Sequence, residues 1–288
     1  MEQSLKIVEF RSLTPGSHLV IFGQIHGDEP NGRRAINRVI NEIETGQISQ
    51  TAGRLTFVPC CNPQAALDNK RFVEKNLNRV FTIHPTPVAY EEHLANCLLK
   101  IQGKPTLFLD LHSYPTEQDD APAFAIEEFS NNLSNSVVAK LPIKYCLKNW
   151  QKLKQKHGRP KVFSTLAHTT RFHVPGIGLE CGKHNSRTAD NVAYEAIRRA
   201  MSELNIAPYR NYSLKTKRPL ELFFKDLFIY PSHGGTFVKK WSDFTSVKRG
   251  EVIARTSSGV EIKSARDGYI ILPDFHAKCG EEWFYVAA

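Results

Sequence analysis

The strongest constraint on how this chain can fold is an alternation of short apolar runs with longer segments of helical periodicity, from Leu19 to Leu204. Leu19-Val20-Ile21-Phe22 is an apolar run stopped by Gly23, the pattern of a buried strand entering a loop. Ile36, Val39, Ile40 and Ile43 then recur at the spacing of one helix face. The pattern repeats. Leu55-Thr56-Phe57-Val58 reads as a strand ending at Asn62-Pro63, and Leu94, Cys97, Leu98 and Ile101 mark the next helix. Thr106 to Leu111 read as a strand, followed by a helix through Phe129, Leu133 and Val137. Gly176-Ile177-Gly178-Leu179 reads as a short strand, and Ala189, Val192, Ala193, Ile197, Ala200, Met201 and Leu204 mark the clearest helix of all. Strands separated by helices pair in parallel, because each helix carries the chain back across the sheet. The expectation is an α/β domain over residues 1–209, with a mixed, largely parallel sheet flanked by helices.

The grammar changes after Ile206. Short alternating runs punctuated by glycine (Thr236-Phe237-Val238, Val252-Ile253-Ala254, Tyr269-Ile270-Ile271-Leu272) read as a small all-β domain over residues 210–288.

Composition narrows the class. The chain has 288 residues, 41% of them hydrophobic, enough for a sizeable buried core. Its formal net charge of +9, from 38 basic and 29 acidic residues, favours anionic partners without separating nucleic acid from an acidic metabolite. The N-terminal Met1 to Lys6 lacks the basic and apolar regions of a signal peptide, and no uncharged apolar stretch is long enough to cross a bilayer. A cytoplasmic protein with no membrane partner is expected. The six cysteines, at 60, 61, 97, 146, 181 and 279, form no Cys-x-x-Cys pair, so neither a disulfide framework nor a thiolate metal site is suggested. The basic run Lys148, Lys152, Lys154, Lys156, Arg159 and Lys161, with Trp150 and His157 among it, reads as a solvated face or loop; a nucleic-acid partner is not expected.

Ligands of open α/β sheets bind outside the carboxyl ends of the strands, and the chemistry-bearing residues of this chain fall there. His26-Gly27-Asp28-Glu29 lies just past the first apolar run, His112 follows Asp110-Leu111, and Glu180 follows Gly178-Leu179. Two imidazoles and one carboxylate, His26, Glu29 and His112, are the donor set of an open catalytic zinc site. Asp28 is either a partner of an imidazole or the N-cap of the next helix. Asp110, two residues before His112 on the same strand, is placed to orient a site group or to hold local backbone donors. Burial at a strand end would raise the pKa of Glu180 towards the working range of a general base; its plainer reading is a salt bridge. Arg71, Asn78 and Arg79 share one connection, where guanidinium forks suit capture of a carboxylate; the plainer reading of Arg71 with Glu74 and Lys75 is a solvated face.

Taken together, His26-Gly27-Asp28-Glu29, Asn76-Leu77-Asn78-Arg79-Val80-Phe81, Asp110-Leu111-His112 and Leu179-Glu180-Cys181-Gly182 resemble the succinylglutamate desuccinylase and aspartoacylase family, which shares its fold with the zinc carboxypeptidases. The resemblance spans roughly residues 19–200. It implies one Zn2+ per chain on His26, Glu29 and His112, with Glu180 as general base. It also implies Arg71 at the scissile carbonyl, and Asn78 and Arg79 on the substrate carboxylate. Arg171 is the nearest match to a further arginine before the base, and Tyr285 to a substrate-contacting tyrosine. The implied activity is release of a short acyl group, succinyl or acetyl, from a small anionic N-acyl amino acid. The C-terminal β domain is expected to narrow the cleft, and a homo-oligomer is compatible with the sequence. Two features depart from the family pattern. Asp28 stands where asparagine is frequent, and Ser113-Tyr114 follow His112 where aspartoacylases have asparagine. The alternatives are a metallocarboxypeptidase acting on short peptides and a non-catalytic basic binding module.

Overall fold

The computed structural model describes residues 4–116, 121–158, 163–210 and 217–288. In chain order the elements are β1 (Val8–Arg11), β2 (His18–Gly23), α1 (Asn31–Glu44), β3 (Arg54–Val58), α2 (Pro63–Leu67), a 3-10 turn (Leu77–Arg79), α3 (Tyr90–Gln102), β4 (Leu107–Tyr114), β5 (Phe124–Glu127), α4 (Asn132–Lys140), β6 (Tyr145–Lys148), α5 (Trp150–Lys156), α6 (Thr165–Arg171), β7 (Gly176–Lys183) and α7 (Arg187–Glu203). There follow β8 (Leu220–Ile229), β9 (Gly235–Phe237), β10 (Ser246–Val247), β11 (Val252–Thr256), β12 (Glu261–Lys263), β13 (Gly268–Ile271) and β14 (Glu282–Ala287). The chain divides into two compact units. One holds residues 1–146 and 162–220; the other holds 147–161 and 221–288.

In the first unit the sheet runs β1-β3-β2-β4-β7-β5. β3, β2, β4 and β7 are parallel neighbours, and the outer β1 and β5 are antiparallel to theirs. Because side chains alternate between the faces of a strand, the apolar runs feed two cores. Leu19, Ile21, Leu55, Phe57, Leu109 and Leu111 pack with α1 and α7. Val20, Phe22, Val58 and Phe108 pack with α3, Leu77, Phe81 and Leu166. α1 approaches β4 closely because residue 32 is glycine: a Cβ there would lie 2.7 Å from that of Leu111.

The second unit is antiparallel, with β8-β14-β13-β10 in one sheet and β12-β11-β9 in another. Its core is aromatic: Trp241, Trp283 and Phe284 are buried, and Phe228 stacks on Phe284 with ring centroids 4.4 Å apart. No helix among the described residues is long and apolar enough to cross a membrane.

Several expectations need adjustment. β4 and β7 continue to Tyr114 and Lys183, so His112 and Glu180 lie inside strands and face each other in register. The β unit begins at 221 and recruits residues 147–161 as well. Those residues are not a uniformly solvated basic face: Lys154 is buried, 2.6 Å from Glu282 and stacked on Trp150, and Lys148 pairs with Glu221. The amphipathic spacing of Trp150 and Leu153 explains why α5 packs rather than protrudes. Arg159 and Lys161 lie outside the described residues.

Candidate metal centre and active site

The first unit gathers its chemistry at the carboxyl ends of β2, β4 and β7. His26 and Glu29 lie in the turn between β2 and α1, which passes so close to α2 that only glycine fits at position 27. A Cβ there would stand 2.1 Å from the Ala65 carbonyl carbon. Gln24 holds the turn from within by donating to the Gly27 carbonyl at 2.7 Å.

Glu29 is the hub. Its Oε1 lies 2.7 Å from His26 Nδ1 and its Oε2 2.9 Å from His112 Nδ1, with all three side chains buried. The opposite nitrogen of each ring rests on an oxygen: His26 Nε2 on Asn76 Oδ1 at 3.1 Å, and His112 Nε2 on Asp110 Oδ2 at 2.9 Å. Two imidazoles turned so that Nδ1 converges on a carboxylate, each oriented through Nε2, are a donor set that could hold a metal ion; the three donor atoms lie within 4.8 Å of one another. Arg71 Nη1 also reaches Glu29 Oε1, at 2.9 Å.

Charge and burial set the protonation of the cluster. Burial disfavours the charge on Glu29, but His26 and His112 outweigh it and hold its pKa well below the carboxylate range. Burial likewise opposes charge on His112, yet Asp110 and Glu29 on either side push its pKa well above the usual value. Burial dominates at His26, whose pKa is lowered. At Glu180, loss of solvation outweighs the attraction of His112 and Arg71, and with repulsion from Glu29 and Asp110 its pKa is pushed up to about 7. Among the described residues, Glu180 Oε2, sealed from solvent, has no hydrogen-bond partner, and neither has Asp110 Oδ1. Unpaired buried carboxylate oxygens are costly and are retained where chemistry uses them.

The segment carrying Arg71 to Arg79 is shaped by a residue that no sequence motif marks. Glu91, fully buried at the start of α3, accepts hydrogen bonds from the amides of Val73, Glu74 and Lys75 and from Asn62 Nδ2. A glutamate in the first turn of a helix carries no sequence mark of such a role. Asn76 links this segment to His26, and its Oδ1 also accepts from the Asn78 amide. Asn78 Oδ1 accepts from the Thr165 amide at 3.1 Å, while Arg79 Nη1 donates to the Asn78 carbonyl. Thr165 Oγ1 donates to Asp110 at 2.5 Å.

His26, Glu29, His112, Glu180 and Arg71 are thus brought together, with Asn78 and Arg79 in the adjoining turn. Arg171 is not. α6 begins beside Asp110 and Asn78 and ends at Arg171, just ahead of the amino end of β7, where the exposed guanidinium lies over Phe172. Helix direction, which the sequence does not reveal, carries this arginine to the far edge of the sheet. Tyr285 is buried in the second unit, where its hydroxyl donates to Glu282 Oε2 and accepts from Trp150 Nε1. Asp28 is not a helix cap: α1 starts behind Pro30 without a side-chain cap bond. Instead Asp28 and Glu29 present oxygens within 4.8 Å of a ring nitrogen of His184, a residue marked by no motif.

Residues 15–204 match the succinylglutamate desuccinylase/aspartoacylase catalytic domain, and the chain belongs to that family. Among curated relatives, a succinylglutamate desuccinylase of Vibrio vulnificus is 30% identical over 77 residues, 27% of this chain and 22% of that protein. One from Vibrio cholerae serotype O1 is 31% identical over 94 residues, 33% of this chain and 27% of that protein. The matched stretch therefore spans about a quarter of those relatives. In structure, the chain resembles succinylglutamate desuccinylase from Vibrio parahaemolyticus (TM-score 0.76, 18% identity, 98% of this chain and 85% of that one). It also resembles the product-bound ectoine utilization protein EutE of Ruegeria pomeroyi (TM-score 0.73, 18% identity, 98% and 88%). These likenesses establish a shared fold.

Proposed function

We propose that the protein is a zinc-dependent amidohydrolase that releases a short acyl group, succinyl or acetyl, from an N-acyl amino acid. The observation that carries the reading is the convergence of His26 Nδ1 and His112 Nδ1 on Glu29, with Arg71 on the same carboxylate and Glu180 paired in register with His112. His26, Glu29 and His112 would hold one zinc ion. When bound, it supplies a Lewis acid that polarises a carbonyl and lowers the pKa of water.

Glu180 takes the proton of the water that attacks the amide carbonyl and returns it to the departing nitrogen. A carboxyl whose pKa is pushed up to about 7 can run both transfers at neutral pH. Arg71, half in solvent, directs its remaining donors to the oxygen on which negative charge develops. Arg79, with Asn78 beside it, binds the substrate carboxylate, a task suited to a guanidinium fork. Asn76 and Asp110 keep the imidazoles turned inward. The products are a free amino acid and a carboxylic acid.

The test is primary-amine release from a panel of N-acyl amino acids (succinyl-glutamate, acetyl-aspartate, acetyl-glutamate, acetylated basic and neutral amino acids) by zinc-loaded and chelated protein. Zinc-dependent release from one of them supports the reading and names the acyl group. Cleavage of free-ended short peptides instead would make the protein a carboxypeptidase, and zinc bound without turnover of either would make the site non-catalytic.

A further inference from the structure

The pairing of β4 with β7 loses its register between His112 and Tyr114, so Ser113 sits at an irregularity directly after a candidate zinc ligand. Irregularities of this kind re-aim backbone groups beside active sites, and here the amide of Ser113 donates to Glu29 Oε2 at 3.2 Å. Something other than the ladder must fix that amide. The buried Ser113 hydroxyl shares a hydrogen bond of 2.8 Å with His184 Nδ1, and the His184 amide donates to the Tyr114 carbonyl at 3.3 Å. His184 is itself anchored: the next amide, of Asn185, donates to Asn31 Oδ1, and Asn31 Nδ2 donates to the Ser186 carbonyl at 3.0 Å. An unbroken chain of contacts leads from the start of α1, through His184 and Ser113, to the carboxylate that both imidazoles share.

We propose that His184 is a positioning residue of the metal centre, fixing through Ser113 the orientation of the Glu29 carboxylate. This rests on the zinc reading above, and it adds to that reading a determinant of metal affinity outside the three donors. Side chains that orient metal ligands commonly carry a tenfold to hundredfold share of affinity.

The experiment is zinc affinity of the full chain by competition with a chromogenic chelator, for wild type, His184→Ala, His184→Asn, Ser113→Ala and the His184→Ala/Ser113→Ala double variant. His184→Ala and Ser113→Ala should each weaken zinc binding about tenfold or more. The double variant should be no weaker than either alone, because both remove one bond. His184→Asn, whose amide nitrogen can take the place of Nδ1, should recover affinity to within about threefold. A merely structural role would not be rescued in this way. Wild-type affinity in His184→Ala, additive losses in the double variant, or His184→Asn as weak as His184→Ala would overturn the proposal while leaving the zinc reading intact. Failure of the wild type to bind zinc would overturn both. Should His184→Ala fail to fold, Ser113→Ala reads the same bond from its other end.

Discussion

The two units bury opposite things. The first places His26, Glu29, Asp110 and His112 out of water in and beyond the carboxyl halves of parallel strands, and leaves carboxylate oxygens of Glu180 and Asp110 without partners among the described residues. The second fills its interior with aromatic rings and satisfies the polar atoms those rings carry: Trp241 Nε1 donates to the Ile253 carbonyl, and the Tyr230 hydroxyl donates to the Gly235 carbonyl and accepts its amide. A core built for stability pairs its polar groups, whereas a site accepts buried charge and unmet hydrogen-bonding capacity as the condition of its chemistry. Substitutions in the first unit should therefore alter turnover or metal binding, and those in the second should alter stability.

The largest expected effect is on turnover. Glu180→Gln keeps the shape of the side chain and removes its proton chemistry, so kcat should fall about a thousandfold, about 4 kcal/mol of barrier, with zinc content unchanged by elemental analysis. A drop in zinc content parallel to kcat would instead make Glu180 part of the metal-binding set, and near-normal kcat would remove it from the reaction.

In the second unit the corresponding blow is Trp283→Ala. Trp283 is 1% exposed and packs against Tyr230, Phe237 and Phe284. Truncation should cost about 3–4 kcal/mol, read from urea unfolding followed by circular dichroism. A loss below about 1 kcal/mol would mean that the aromatic core is not what stabilises this unit.

The units also differ in how far the sequence discloses them. In the first, apolar periodicity exposes the strands and helices that matter, and the rule that ligands gather at strand ends brings His26, His112 and Glu180 together. What stays hidden is set by direction and by long-range contact. Arg171 is lost because nothing local says which way α6 runs. Glu91 bonds the loop at Val73 to Lys75 and His184 bonds Ser113 in β4, both away from themselves in sequence, and neither belongs to a spacing that announces it. β1, antiparallel to β3, escapes notice because it is short and half exposed. In the second unit the β class is legible from alternating runs and glycines. Its recruitment of α5 is not, because Lys154 becomes a core residue only through its pairing with Glu282 and Trp150.

Gly27→Ala tests whether the site depends on backbone approach as well as on donors. The added methyl would meet main-chain atoms of Ala65 and Ala66, which cannot rotate away as a side chain could. The β2–α1 turn must then move off α2, costing about 2–3 kcal/mol of stability and carrying His26 and Glu29 out of alignment. Thermal unfolding and zinc titration should both register the change. A stable variant that binds zinc normally would show that the turn has room to give.

The smallest effect comes from a place where the second unit departs from its aromatic pattern. Asp243 is half-buried and accepts from the Leu272 amide at 2.6 Å, and burial pushes its pKa up to about 6 despite that bond. The folded state then holds this proton more tightly than the unfolded chain, whose Asp titrates near 3.9. Between those values the native state binds more protons, so stability is highest below about pH 4 as far as this group is concerned. It falls as pH rises through about 6 and stays lower above. Solvent contact reduces the contribution to about 1–2 kcal/mol. Asp243→Asn keeps an oxygen for the Leu272 amide and removes the ionisation, so the variant should be more stable than wild type at pH 7 by that amount and equal to it at pH 4. If the wild-type excess slope of unfolding free energy between pH 4 and 6 survives in Asp243→Asn, another group causes it and the Asp243 carboxyl is solvated in solution.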